Sequence, residues 1–204
     1  MIALVDFGLG NIQAFANIYR YLGIEAAPAR TADDLRAASR IILPGVGAFD
    51  CAMTRLQESG LRDALDEEVL GTKKPVLGIC VGMQMMAHAS EEGKIPGLGW
   101  INAMVEKFDT SLLESKTYLP HMGWNDANPL RTDTLFSGLD NPRYYFLHSY
   151  FMRAEREEDV LATSNYGETF TSAVRFGNVY GTQFHPEKSH QWGVQLLKNF
   201  AKLT

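Results

Sequence analysis

Gly78-Ile79-Cys80-Val81-Gly82 follows directly on the apolar run Pro75-Val76-Leu77. An apolar run that ends in a glycine-flanked residue and resumes as a helical pattern describes a strand, a sharp bend and a helix. Few chain paths accommodate that sequence of events. The bent residue is left at the carboxyl end of the strand, where ligands of open α/β sheets bind. Here that residue is a cysteine. The expected helix runs from Gly82 to about His88, with Cys80 at its amino end. Unpaired N–H groups and the helix dipole there favour thiolate over thiol. The Val81 N–H would face an oxyanion formed on an attacked carbonyl. On this motif alone, a small buried cysteine after a strand remains an equal reading.

The surrounding pattern fits a sheet of that kind. Ile2 to Val5, Ile24 to Ala27, Ile41-Ile42-Leu43 and Val76 to Ile79 read as strands. Helical periods lie between them: Asn11 to Leu22, a segment capped by Thr31 and running through Leu35, Phe49 to Gln57, and Leu61 to Leu70. Such alternation predicts an α/β fold, a mostly parallel central sheet with helices on both faces. The second half is richer in strands: Ile101 to Phe108, Arg143 to Leu147, Val160 to Thr163, Phe170 to Val174 and Val179 to Phe184. Gln191 to Leu203 predicts a closing helix. With 204 residues and no linker or repeat, one domain spanning 1–204 is expected.

Composition excludes more than it selects. A net charge of −5 offers no electrostatic footprint for nucleic acid. No apolar run approaches membrane-spanning length, and the start, Met1 to Asp6, lacks the basic region of a signal peptide. Cys51 and Cys80 make no disulfide framework, so a reducing, cytoplasmic location is expected. Cys51 falls in a helical stretch and reads as a small packed residue. No Cys/His spacing suggests a metal, and no cofactor is expected.

A second motif, His185-Pro186-Glu187, closes the apolar run Val179 to Phe184. Proline pushes the residue before it into extended geometry, and in an extended chain residues i and i+2 share a side. Glu187 can therefore hold the imidazole of His185. Thiol, base and orienting carboxylate make a covalent-catalysis set. Leu43-Pro44-Gly45-Val46-Gly47 ends another strand, and no Lys-Ser/Thr follows to make it a phosphate loop. Its glycines permit close approach to a ligand. The N–H of Val46 or Gly47 is a candidate second oxyanion donor beside that of Val81; the alternative is a plain tight turn.

Pro44-Gly45-Val46-Gly47, Gly78 to Gln84 and Phe184 to Ser189 together resemble the class I (triad) glutamine amidotransferases. The resemblance spans nearly the whole chain and implies that family's single-domain, three-layer, flavodoxin-like fold. Asp6 to Asn11, Pro120 to Asn125, Leu147 to Tyr150 and Gly181 to Phe184 narrow it. They are similar to the branch whose glutaminase subunits pair with a (β/α)₈ cyclase of the histidine pathway. The resemblance implies hydrolysis of L-glutamine through a thioester on Cys80. His185 would serve as acid and base, and Glu187 would orient it. It also implies that Gln84, Gly47 and the segment His148-Ser149-Tyr150 hold the amino-acid end of glutamine. Asn11, Trp124 and Lys188 would lie on the partner-facing rim of a heterodimer, with a core anchor as the alternative for Trp124. By composition alone Gln84 would pass for a surface helix residue, and Met83, Met85 and Met86 for core. His121 and His148 read as structural hydrogen bonders.

Asn11 to Asn17 and Lys188 to Gly193 are closer to a paralogous branch that supplies ammonia for sugar amidination in surface polysaccharides. That branch is the rival for the ammonia acceptor. A stand-alone thiol peptidase or γ-glutamyl hydrolase is the rival from another class, separated by its independence of a partner.

Overall fold

The computed structural model describes residues 1–112 and 118–203. In the first half β1 (Ile2–Val5), α1 (Ile12–Tyr21), β2 (Ala26–Ala29), α2 (Ala32–Ala37), β3 (Arg40–Gly45), α3 (Phe49–Glu58), α4 (Arg62–Asp66), β4 (Val76–Cys80) and α5 (Val81–Gln84) alternate. The second half adds β5 (Ala89–Ser90), β6 (Ala103–Lys107), β7 (His121–Asp126), β8 (Asn128–Pro129), β9 (Arg143–His148), β10 (Tyr150–Ala154), β11 (Val160–Tyr166), β12 (Glu168–Phe176) and β13 (Val179–Thr182). Helix α6 (His190–Phe200) closes the chain.

Eight strands form the central sheet in the order β2-β1-β3-β4-β13-β12-β11-β8. The first five are parallel and the last three antiparallel. The α/β expectation therefore holds, with an antiparallel extension on one side. From β1 the chain steps outward to β2 and then back past β1 to β3. Right-handed crossovers consequently put α1 on one face and α2 on the other. Helix α1 packs with α6, and α2 with α4. Tyr19 Oη donates to Leu197 O at 3.2 Å, which ties the first pair. β4, buried along its whole length, runs through the centre. A parallel strand covered on both faces has to be apolar throughout, as Val76-Leu77-Gly78-Ile79-Cys80 nearly is.

Two smaller sheets lie beyond it: β10-β6-β5, and an antiparallel ribbon of β7 and β9. A cluster of Phe108, Phe146, Phe151 and Phe170 fills the space behind the ribbon, with ring centroids 4.8–5.8 Å apart. His121 and His148 are packed into it.

Local departures from the sequence reading have identifiable causes. Thr31 caps α2 as expected, in a reciprocal box with Asp34. Strand β2 begins two residues later than Ile24, because Ile24 N–H bonds Tyr19 O at 2.9 Å and is consumed in closing α1. The helix after Cys80 makes one turn rather than reaching His88. The carbonyls of Met85, Met86 and Ala87 are taken by the N–H groups of Leu98, Ile101 and Gly99. Cys51 is exposed on α3, not packed.

Candidate active site

Cys80 ends β4 with φ 54° and ψ −113°. A non-glycine residue there is strained and persists only where its surroundings allow nothing else. Gly45 and Gly82 supply that constraint. A Cβ on Gly45 would meet Gly82 N, and one on Gly82 would meet Leu43 O. Strand β3 and the start of α5 thus pack backbone against backbone, which fixes the bend between them. Cys80 itself is 3 % exposed.

His185 reaches the same place from the end of β13. Its N–H bonds Tyr145 O at 2.9 Å, while Ser189 Oγ donates to His185 O at 2.6 Å and accepts from Tyr145 N at 3.0 Å. His185 is extended, as Pro186 predicts, but Pro186–Lys188 then form a 3₁₀ turn. That turn, rather than continued extended chain, brings Glu187 Oε1 to 2.9 Å from His185 Nδ1. Nε2 is left for the thiol. Burial disfavours the imidazolium, but hydrogen bonds to Cys80 and Glu187, reinforced by their charges, outweigh it and raise the His185 pKa to about 10. The Cys80 thiol itself donates to Leu147 O at 3.8 Å.

A cavity of about 330 Å³ opens on this pair. Val46, Gly47, Val81, Gln84, His148, Ser149 and Tyr150, the residues expected to touch glutamine or its oxyanion, all line it. So do Glu92, Pro120, Leu147 and Lys188. Glu187 stands behind His185. Gln84 is buried and not on the surface: its Nε2 donates to Tyr150 O at 2.9 Å and Gln183 Oε1 at 3.0 Å. The three methionines beside it are core, as read.

His121 and His148 form a buried pair with a determined proton arrangement. Asn125 Nδ2 donates to Asn165 O at 2.8 Å and faces His121 Nε2 at 3.2 Å. His121 must therefore carry its proton on Nδ1, which lies 3.0 Å from His148 Nε2. His148 Nδ1 in turn donates to Tyr150 O at 2.8 Å. An added proton on either ring would set N–H against N–H. Burial lowers the His121 pKa to about 4; burial and the charge of His121 lower that of His148 to about 3.

Asn11 caps α1, its Oδ1 accepting from Ala14 N at 3.2 Å. Trp124 is 40 % exposed and stacks on His190 with ring centroids 5.2 Å apart, so it is a surface residue and not a core anchor. Lys188 lies over the Tyr145 ring at 5.7 Å. Ribbon pairing sets Met122 opposite Leu147 and Trp124 opposite Tyr145. Val46 and Leu147 line the cavity and are exposed, and Met122 and Trp124 are exposed on the same ribbon as Leu147. Among the described residues no helix is long and apolar enough to cross a membrane.

The family model for glutamine amidotransferase class-I matches residues 3–203. The chain belongs to the class-I glutamine amidotransferases. Within them it is 55% identical to imidazole glycerol phosphate synthase subunit HisH of Bdellovibrio bacteriovorus, over 204 residues and 100% of both chains. It is 48% identical, with the same coverage, to the subunit of that name from Leptospira borgpetersenii. In fold it is similar to a crystal structure of a glutamine amidotransferase, with TM-score 0.74, 22% identity and 99% of each chain covered. A second similar fold is that of a putative GMP synthase component of Thermoplasma acidophilum, with TM-score 0.71, 23% identity, and 98% of this chain and 91% of that one covered.

Sequence reasoning assigned no role to Glu92, Ser189 and Gln183. Glu92 Oε2 accepts from Phe49 N at 2.8 Å, capping α3 from a distant loop while lining this amidotransferase's cavity. No local signal marks it. Ser189 and Gln183 flank the base within the family's own motifs, and that position was the available signal for both.

Proposed function

We propose that this chain is the glutaminase subunit of an imidazole glycerol phosphate synthase, working as a heterodimer with a (β/α)₈ cyclase. The observation that carries the reading is the Cys80–His185–Glu187 arrangement at one cavity, in a chain similar to HisH proteins along its full length. His185 takes the proton of the Cys80 thiol, and the thiolate attacks the side-chain amide carbon of glutamine to form a tetrahedral oxyanion. The Val81 N–H and that of Val46 or Gly47 stabilise it. Collapse expels ammonia with the proton from His185, leaving a γ-glutamyl thioester. His185 then takes a proton from water, which attacks the thioester; glutamate leaves and the thiolate returns. Glu187 keeps His185 in the required tautomer. Gln84 and the carboxylate of Glu92 suit the α-ammonium of glutamine, and the His148-Ser149-Tyr150 segment walls the same end.

Ammonia set free in water is protonated and lost to the acceptor, so the mouth should be covered by the subunit that consumes it. The exposed apolar residues Val46, Met122, Trp124 and Leu147, with Lys188 and Asn11, are the surface for that partner. A reducing, cytoplasmic location is part of this reading, from the two cysteines that make no disulfide framework in the sequence. The polysaccharide branch and the stand-alone hydrolase are not favoured, since full-length relatives carry the synthase-subunit name.

Complementation tests the assignment. The gene is expressed in a histidine auxotroph lacking only its glutaminase subunit, on low-ammonium medium. Growth without histidine is expected. Failure to grow, with soluble protein and glutaminase activity toward a different partner, would move the assignment to the sugar-amidinating branch.

A further inference from the structure

Gln183 is fully buried between β13 and the base turn. Its side chain makes two contacts. Oε1 accepts from Gln84 Nε2 at 3.0 Å, and Nε2 donates to Cys80 Sγ at 3.7 Å. A carboxamide has nearly the same shape turned through 180°, but the electrostatic result would reverse. Its oxygen would then face the sulfur and oppose a thiolate.

The orientation is decided at a backbone atom. Tyr150 O can only accept, so Gln84 must present its NH₂ group there, at 2.9 Å. The second hydrogen of that group points to Gln183, which must offer oxygen in return. The NH₂ group of Gln183 is thereby left for the sulfur. The donors and acceptors of the three groups are mutually determined.

The sulfur needs such a donor. Helix α5 has four residues, so its dipole at Cys80 is slight. An anion at a site this buried is costly unless hydrogen-bonded. His185 supplies one partner but must later part with its proton. Gln183 has nothing to lose by titration and stays a donor throughout. The sulfur carries negative charge twice in a thioester reaction, as attacking and as leaving group, and a fixed donor assists both.

We propose that Gln183 is a catalytic residue whose side-chain N–H holds the Cys80 thiolate, and that Gln84, anchored on the Tyr150 carbonyl, keeps it facing the sulfur. This rests on the reading of Cys80 as the nucleophile.

The test is the rate at which iodoacetamide alkylates Cys80 as a function of pH, resolved by peptide mass spectrometry. Exposed Cys51 is scored in the same sample as an internal control. In Gln183→Met, which keeps length and loses the donor, the midpoint of the Cys80 profile should rise by about one pH unit. Alkylation below the midpoint should then be about tenfold slower. Gln84→Met, which frees the Gln183 carboxamide to turn, should raise the midpoint by less, and Cys51 should react alike in every variant. A wild-type Cys80 profile in folded Gln183→Met overturns the proposal. If that variant does not fold, an unshifted profile in Gln84→Met overturns it instead. Neither result touches the nucleophile assignment, which fails separately if Cys80→Ser retains glutaminase activity.

Discussion

The two halves of the catalytic pair are held by different physics. At the Cys80 elbow, backbone meets backbone: Gly45 and Gly82 approach so closely that neither tolerates a Cβ. No side chain there can yield. At the His185 turn, position is set by separate hydrogen bonds: His185 donates to Tyr145 O and Glu187 Oε1 and accepts from Ser189 Oγ. The two that involve the side chains of Ser189 and Glu187 can be removed one at a time. The nucleophile is thus placed by exclusion and should fail all at once. The base is placed by attraction and should fail by degrees.

Substitutions can break that contrast. Cys80→Ala should abolish glutaminase activity, by about 10⁴-fold or more, because a triad acts as a unit. It should leave the fold and ammonia-driven synthesis in the complex intact. Cys51→Ala on exposed α3 is the matched control and should do nothing; a comparable loss there would show the thiols reversed.

Glu187→Gln should lower kcat by roughly 10²–10⁴-fold, since an amide can hold the wrong tautomer. It carries a pH signature as well. His185 has its folded pKa raised from 6.5 to about 10. The pair's contribution to stability is therefore complete below pH 6.5 and lost as pH rises through about 10. Removing the Glu187 charge lowers the folded value, so both alkaline unfolding and the alkaline limb of the His185 titration should move to lower pH. An unchanged limb would reduce Glu187 to a bystander.

Gly82→Ala sharpens the steric half. A methyl directed at Leu43 O must displace backbone, and displacement by about 1 Å costs roughly 10²-fold in rate. Overpacking should also lower the melting temperature by about 5 °C. Wild-type kinetics in this variant would mean the elbow is looser than its geometry implies.

Ser189→Ala is the mildest. It removes the hydroxyl that bridges Tyr145 N and His185 O, buried at 0 % exposure. A roughly tenfold fall in kcat with little change in KM is expected, because neighbouring bonds still hold the turn. A loss as large as that of Glu187→Gln would make the base turn as brittle as the elbow.

The parallel strands, the cysteine bend and the His-Pro-Glu motif were legible in the chain because each is written in neighbours. Apolar period, glycine spacing and the effect of proline on the preceding residue all act within a few positions. Even Thr31 as a cap belongs to this class. Where a distant segment competes for the same atoms, local reading fails. The helix after Cys80 stops after one turn because the loop at 97–101 takes its carbonyls, and β7 and β10 carried no pattern strong enough to be read as strands.

The fine structure of the site is of the second kind. Gln84 and Gln183 are 99 residues apart, and Tyr150 O lies 66 from Gln84. Glu92 enters through a cap on a helix 43 residues away. A side chain's chemistry is fixed by covalent identity, so the sequence alone establishes that a thiol, an imidazole and a carboxylate are present. Which way an amide faces, which tautomer a buried histidine holds and whether a sulfur is exposed depend on donors and acceptors that only folding brings within about 3–4 Å.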